Sequence, residues 1–520
     1  MMNNNNIPNI PAEKFKFVAD NERLHDQKFE TKQVSYFRDA FNRFCKNKSS
    51  VTAALIILAL VVFSIVVPIF GRTTYNTAPE RDEHKEFISY TKLLPKNDLF
   101  YDLGINFWDG CSDDTVNQAN YLALNAVAEE TGYPVFRTEP EKFKDDQNKT
   151  KYNIRLDSYY VMGTKNGYEY KTLQPSEYAA IQKWQNETGL QVIFPAVTDS
   201  KVDPNVWYES NNIGAVQLDA QGNYVNIYKT SGDDGEYNSL RIDGDPGKDN
   251  PNAENRYRYA TVTGTSTAKS YKVRVYLYNY FQYKYGFEPS FAFGTTGQGY
   301  DIMYRLAGAA RFSLIFAICV SVINLSIGAV VGAIEGYYGG AIDMFIERVI
   351  DILARVPFMV VATLFQLHLA AKVGPVVSML FAFVLTGWIG MAGTTRMQFY
   401  RYKGQEYVLA ARVLGASDWR IMFRHIFPNA LGTIITSSVL IIPGVIFSES
   451  SLTYLGIVNL DSPTMTSVGT MLANARQYLS TFPHTILFPA LYISLLEISF
   501  NLFGNGLRDA FNPSLRGADE

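Results

Sequence analysis

The chain has 520 residues with 47 basic and 50 acidic side chains, five histidines and three cysteines, a length for two or more domains. The near-neutral total hides a division: residues 72–295 hold about 31 acidic and 24 basic side chains, the remainder about 19 and 23. An acidic middle with basic flanks excludes nucleic acid as a partner, and Cys45, Cys111 and Cys319 lie in three separate regions, which excludes a disulfide within the middle and any zinc-ligand spacing.

Residues 1–50 read as a polar N-terminal tail that opens with Asn3 to Asn6 and ends in a basic, partly amphipathic interfacial helix around Phe37, Arg38, Phe41, Arg43, Phe44, Lys46 and Lys48. Residues 51–70 carry no charge. At about 1.5 Å per residue they span a hydrocarbon layer of about 30 Å, so a first transmembrane helix is expected. The alternative, a signal peptide, fits poorly with a run that is long, begins late and has no small-x-small cleavage site. The Lys and Arg before the run predict a cytoplasmic N-terminus.

Residues 71–295 contain no spanning run and are rich in Tyr, Asn, Asp and Gly. An inserted α+β domain on the extracellular side is expected. Thr115–Glu130 and Ser176–Glu187 have helical spacing, with Ser176 as a cap. Tyr271, Val273, Val275 and Leu277 alternate with Lys272, Arg274 and Tyr276 as a strand with one buried face, and Tyr224, Asn226 and Tyr228 predict part of another. Ser231–Glu236 and Asp243–Asn252 read as loops. The stretch 243–254 superficially resembles a calcium loop, but Gly247 and Lys248 stand where an oxygen ligand and the turn glycine belong, so a solvated loop is the expectation. Phe293 to Asp301 has the glycines of a phosphate loop without the preceding strand or a following Gly-Lys-Ser/Thr.

Residues 296–520 are expected to hold five more spans: about Phe312–Ile334, Ile342–Ala371, Val376–Met397, Leu431–Leu455 and Ile486–Phe503. With the first they make an α-helical polytopic membrane protein of six transmembrane helices. Alternation from a cytoplasmic N-terminus places residues 71–295 outside, and Arg396, Arg401, Lys403, Arg412, Arg420 and Arg424 inside together with the C-terminus.

Between the fourth and fifth spans lies a basic stretch, residues 406–429, with helical spacing. Tyr407, Ala411 and Leu414 share a helix face with Val408 and Arg412 nearby. Gly415 ends that helix, Ser417 is placed to cap a second beginning near Asp418, and Pro428 disfavours its continuation. Trp419, Met422, Phe423 and Ile426 form an apolar stripe, with Arg420 and Arg424 as a polar rim. A helix, a glycine and a second helix also occur in ordinary bundles. The placement and the residues Glu406, Ala410, Ala411, Arg412, Gly415, Asp418, His425, Pro428 and Asn429 resemble the EAA loop of ABC-transporter permeases of the oligopeptide/dipeptide/nickel group, although Leu409 replaces the general motif's glutamate and His425 its isoleucine.

The same group is resembled by Gly332-Ala-Ile-Glu-Gly336-Tyr-Tyr-Gly339-Gly340 with Asp343, Arg348, Asp351 and Pro357, by Glu449-Ser-Ser-Leu-Thr-Tyr-Leu-Gly456, and by Asn501-Leu-Phe-Gly504-Asn-Gly506-Leu-Arg508-Asp509. The segment from Phe293 resembles the family's lead into its core, with Thr296 and Tyr300 departing from it. Residues 72–292 resemble nothing specific. The resemblance implies the ABC importer permease fold, and a C-type subunit that works with a B-type permease, two ATPase subunits, an extracellular solute-binding lipoprotein and a peptide substrate. It makes residues 406–429 the ATPase-coupling loop, seated in a groove of an ATPase subunit with Trp419, Met422, Phe423 and Ile426 as its buried contacts. It also implies the plasma membrane of a Gram-positive-type bacterium. ATP and magnesium would be bound by the ATPase subunits; this chain has no Walker A sequence, no legible nucleophile with a base, and no metal-ligand spacing. It reads as a non-catalytic subunit without cofactors of its own.

Ionisable residues in or beside spans include Asp343, Glu347, Arg348, Asp351, Glu449 and Glu497. A charge at a helix centre costs roughly 3 kcal/mol, so these should face protein or water. On a helix Asp343 and Glu347 would repel and Arg348 and Asp351 could pair. Both a packing role and a place on the transport path remain open for them. The rival functions are a permease of the same architecture for nickel chelates or glycosides, and a membrane receptor, which the short tail after the last span disfavours.

Overall fold

A computed structural model of the chain describes residues 36–70, 90–164, 166–194, 220–222, 260–265, 268–462 and 465–511. The expected strand at Tyr224–Tyr228, the loops at Ser231–Glu236 and Asp243–Asn252, the calcium-like stretch 243–254 and the N-terminal tail before Tyr36 lie outside these residues.

The described residues open with α1 (Tyr36–Lys46), a helix where the sequence predicts one, whose Phe44 meets Phe503 edge to face at 5.3 Å. Helix α2 (Lys48–Phe70) follows with no charge after its first residue. A short helix α3 (Asp98–Asp102) opens the inserted domain. In the first sheet, β1 (Cys111–Asn117) and β2 (Glu141–Lys144) flank β3 (Thr150–Asp157), all antiparallel, with Cys111 opposite Asp157 and Asn117 opposite Lys151. Helix α4 (Gln118–Thr131) starts only where Asn117 caps it, so the predicted helical start at Thr115 is overturned: Thr115 is paired with Asn153 across the sheet.

The second sheet sets β4 (Tyr168–Leu173) on one side of β7 (Ala268–Tyr276), and β5 (Ile193–Phe194) and β6 (Ala260–Thr265) on the other. Helix α5 (Pro175–Thr188) lies beside it. Its N-cap is Gln174, with Pro175 in the first turn, so Ser176 is inside the helix and is not its cap. The expected single buried face of the Tyr271–Leu277 strand is also corrected. Val273 and Val275 pack with Ile181, Val192 and Ile193 on the α5 side, while Tyr276 joins a larger aromatic core between the sheets and Arg274 is buried as well. Arg274 tolerates this because Glu130 lies 3.8 Å away and the Tyr168 ring covers its guanidinium at 3.7 Å. Helix α6 (Leu277–Tyr285) completes the domain.

The domain's two ends are fastened together. Lys92 N–H donates to Thr296 O at 3.1 Å, Thr295 N–H to Leu93 O at 2.9 Å and Lys96 N–H to Phe291 O at 2.9 Å. The buried Thr295 hydroxyl donates to Tyr90 O and accepts from Leu93 N–H. From this clasp Asp301 caps α7 (Ile302–Tyr338), a helix of 37 residues and hence about 55 Å long.

Helix α7 leads to α8 (Gly340–Ala354), α9 (Phe358–Val373), α10 (Pro375–Gly387) and α11 (Ile389–Tyr402). The predicted span Ile342–Ala371 is not straight: α8 and α9 meet at 75°, a broken span or a re-entrant loop. Pro357 sits at the break, lacking the N–H that would continue the helix and holding the preceding residue away from helical dihedrals. Among the described residues, five helices are long and apolar enough to cross a membrane, or six if the bent pair counts as one span. After α12 (Glu406–Val413) and α13 (Asp418–Arg420) come α14 (Phe427–Tyr454), α15 (Val468–Ala475) and α16 (His484–Phe511). Helix α7 packs on α11, α14 and α2, and α16 on α2 and α14. Small residues make the closest approach. Gly328, Gly332 and Gly336 face Met391, Ala392, Thr395, Arg396 and Phe399 so tightly that a Cβ at Gly332 would fall on the Ala392 carbonyl.

Candidate functional site

The stretch 406–429 folds as a bent element at the end of the helix bundle remote from the inserted domain. Helix α12 begins with Glu406 and closes at Leu414, after which Gly415 takes φ +81° with open space where a Cβ would stand. That left-handed turn is the sequence reason for the bend. Ser417 occupies the cap position of α13, but its side chain makes no capping bond. Asp418 is instead fixed by Tyr337, whose hydroxyl donates to its carboxylate at 2.5 Å.

Pro428 does not end the second helix. Residues Ile421–Ile426 form a π turn that runs directly into α14, with Pro428 in its first turn. There a missing N–H is tolerated, and the wider turn accommodates the ring. Asn429 donates to His425 O at 2.8 Å and to the Tyr407 hydroxyl at 3.2 Å, tying the start of α14 back to α12.

The predicted apolar stripe divides. Met422 and Ile426 are buried with Val408, Ile421, Phe399 and Tyr337 inside this chain, so they offer no contact to another protein. Phe423 is half-buried between Trp419, at 4.2 Å, and Phe427, at 5.9 Å. Trp419 remains 61% exposed, and at the tip of the bend Val413 and Leu414 are each 87% exposed. Tip residues such as these were not legible as a contact face, because helical spacing placed Leu414 on a face with Tyr407 and Ala411 without saying which way that face points. Glu406, Ala410, Arg412, Gly415, Arg420, Arg424, Pro428 and Asn429 are exposed, and Ala411 and His425 half-buried.

The loop is joined to the last turn of α7. Arg412 reaches the Tyr337 hydroxyl at 3.4 Å and lies over its ring at 5.7 Å. Lys403 donates to Gly336 O at 2.9 Å and sits over the Tyr400 ring at 4.0 Å. Burial holds its ammonium below the usual lysine pKa. Next to it Arg396 binds Asp343 through two bonds, at 2.5 and 2.8 Å, and Glu347 at 2.9 Å, while Tyr400 donates to Asp343 at 2.7 Å. The expected repulsion between Asp343 and Glu347 is thereby corrected: both face one guanidinium. Sequence reading found Arg396 and Lys403 only as topology signals and missed Tyr337; a tyrosine inside a run of glycines at a helix end was the available clue.

The remaining predicted residues stand apart. Arg348 and Asp351 pair at 3.0 Å on an exposed face. Glu449 is fully buried in α14, receiving the Ser313 hydroxyl of α7 at 2.8 Å, and Glu497 is half-buried in α16. Glu335, not singled out from the sequence, is fully buried beside Gly336 with no hydrogen bond to its carboxylate. Among the described residues no group of three or more His, Cys, Asp or Glu is placed to hold a metal.

Residues 324–517 match the family model described as binding-protein-dependent transport system inner membrane component, and 35–94 the N-terminal transmembrane domain of oligopeptide transport permease C. The oligopeptide transport system permease protein OppC of Bacillus subtilis is 39% identical over 43% of this chain and 72% of its own length. Dipeptide transport system permease proteins DppC of Lactococcus lactis and Bacillus subtilis are each 36% identical over 43% of this chain, and over 64% and 69% of their own lengths. A chain of the inward-facing MetNI methionine ABC transporter aligns over 40% of this chain and 97% of its own at 13% identity and a TM-score of 0.30, too loose a superposition to argue from. With that identity over most of a relative's length, and with its apolar helices and bent loop in the matched range, the chain belongs to the binding-protein-dependent transport system inner membrane components, among the C-type permeases of the oligopeptide and dipeptide group.

Proposed function

We propose that this chain is the C-type permease subunit of an ATP-driven peptide importer, forming half of the translocation pathway with a B-type permease and taking its energy from two ATPase subunits. The observation that carries the coupling is the bond set around Tyr337. Asp418, Arg412 and Lys403 all grip the last turn of α7, and that helix continues to the clasp of the inserted domain. A push on the loop therefore acts on a helix that reaches the opposite face. Val413, Leu414 and Trp419 are the apolar contacts offered to an ATPase groove, with Arg420 and Arg424 at the rim. Neither nucleotide nor metal is held by this chain in the proposal; ATP and magnesium belong to the ATPase subunits.

In this reading the loop and both termini face the cytoplasm of a Gram-positive-type cell, and the inserted domain faces outward, where it docks a solute-binding lipoprotein. Deleting residues 80–290 should weaken pull-down of the binding protein more than of the ATPases; equal affinity for the binding protein would remove that role. For the coupling, Gly415→Asp should abolish peptide uptake while the chain stays in the membrane, since a side chain at φ +81° distorts the bend. Normal uptake by this variant would overturn the assignment. Growth on peptides as the sole amino-acid source, with and without the gene, separates peptides from nickel chelates and glycosides.

A further inference from the structure

In the described part of the inserted domain, every exposed large aliphatic or phenylalanine side chain except Phe143 falls on one short segment. Leu99, Leu103, Ile105 and Phe107 are 62%, 65%, 42% and 66% exposed. Scattered apolar exposure is ordinary, but four such side chains within nine residues mark an interaction surface. Local structure gathers them. Across α3 and its C-cap residue Leu103, Asp98 and Asp102 lie four apart on one face, and Leu99 and Leu103 four apart on the next. Gly104, at φ +71°, then turns the chain so that Ile105 and Phe107 follow.

The segment is held at a fixed level. Trp108 donates its indole N–H to Ala292 O and lies 5.6 Å from the Phe488 ring and 6.1 Å from Phe293, which stacks on Phe488 at 4.2 Å. Phe488 is in the second turn of α16, a helix apolar enough to span a membrane. The apolar segment thus sits where that helix enters the hydrocarbon, at the depth that tryptophan favours. Its surroundings identify what covers it. Next to Phe488, Leu487, Leu491 and Leu495 are exposed along α16. Helix α16 packs on α2, of whose apolar window only 11% is buried within this chain. The segment continues that exposed apolar rim.

We propose that residues 99–107 insert into the membrane leaflet on the inserted domain's side, as a lipid-embedded foot that fixes the height and tilt of that domain above the bilayer. The partner is the acyl and headgroup boundary, with Asp98 and Asp102 left on the aqueous side.

The test uses the assembled transporter in lipid nanodiscs, with Cys45→Ala, Cys111→Ala and Cys319→Ala as background and a fluorophore on Leu103→Cys or Phe107→Cys. Acyl-brominated phospholipid should quench these labels severalfold more strongly than a label on Phe143→Cys, and aqueous iodide should quench them less. Quenching by iodide without quenching by bromolipid would overturn the foot in favour of a solvated segment. Protection from both would overturn it in favour of a protein partner, the second permease or the binding protein. If the cysteine-free chain does not assemble, photoactivatable phospholipids can be applied to the unaltered complex. Adducts within 98–108 support the foot, and adducts confined to the spans refute it.

Discussion

The inserted domain and the helix bundle solve the packing problem with opposite materials. In the domain, large rings fill the core and carry their polar atoms with them: Tyr276 donates to Tyr160 O at 2.8 Å, Tyr159 to Leu94 O at 2.7 Å and Tyr133 to Asn279 at 2.9 Å. Buried charges are paired there too, as with Lys96 and Asp157 at 3.4 Å, the lysine ringed by Tyr101, Tyr159 and Tyr160. Burial pushes the Asp157 carboxyl above its ordinary pKa despite the lysine beside it. In the bundle, α7 and α11 meet through the absence of side chains at Gly328, Gly332 and Gly336. The difference follows from solvent. Water drives aromatic area inward, whereas lipid is as apolar as leucine, so helices gain by close backbone approach. One half should be sensitive to removing atoms, the other to adding them.

The largest effect that tests this division is Lys96→Met. It leaves Asp157 buried without its cation, at a cost of about 3–5 kcal/mol. Limited proteolysis should then cut the inserted domain while the bundle stays intact, and Lys96→Met with Asp157→Asn should restore most of the protection. Collapse of the bundle as well would break the separation. Next comes Gly332→Val, which should cost about 1–3 kcal/mol or more through overpacking and lower the melting temperature of the detergent-solubilised chain. Gly308→Val, on the same helix but with nothing within 4 Å of its Cβ position, is the matched control and should change little. Tyr276→Phe removes one buried hydroxyl bond, about 0.5–1.5 kcal/mol, measurable as faster hydrogen exchange in β7 and nowhere in the bundle. Smallest is Arg348→Ala, whose partner Asp351 is also exposed. No change in melting temperature is expected, because exposed pairs contribute little.

How much of this was legible in the sequence depended on the range of the forces involved. Each expected span overlaps an observed helix, but apolar runs undershot the ends, by ten residues at Ile302 of α7 and eight at Phe511 of α16, and did not show the bend at Pro357. That proline was visible, but the apolar-rich chain on both sides of it was read as one span. Helices α4 and α5 were readable from spacing, yet β1 was not, because Ser112-Asp113-Asp114 has no alternation and pairs only through β3. Arg274 could not be placed in the core from local pattern, since Glu130 is 144 positions away in the chain. In the loop, Gly415 was readable from its turn chemistry and its neighbours from family wording. Met422 and Ile426 were misjudged because an amphipathic stripe does not say whether its partner is the same chain or another.

The clasp between Lys92–Lys96 and Phe291–Thr296 has a consequence for how such a protein can change over generations. Closing a loop costs free energy that grows only slowly with its length, and here the closure is secured by hydrogen bonds at the neck. What the membrane bundle touches of the insertion is its stem and, just beyond it, Trp108 against Phe488. Modules beyond that contact can be gained, trimmed or exchanged between those two segments while α2 and α7 keep their places, which makes the neck a natural graft point for giving one transport machine a different appended domain.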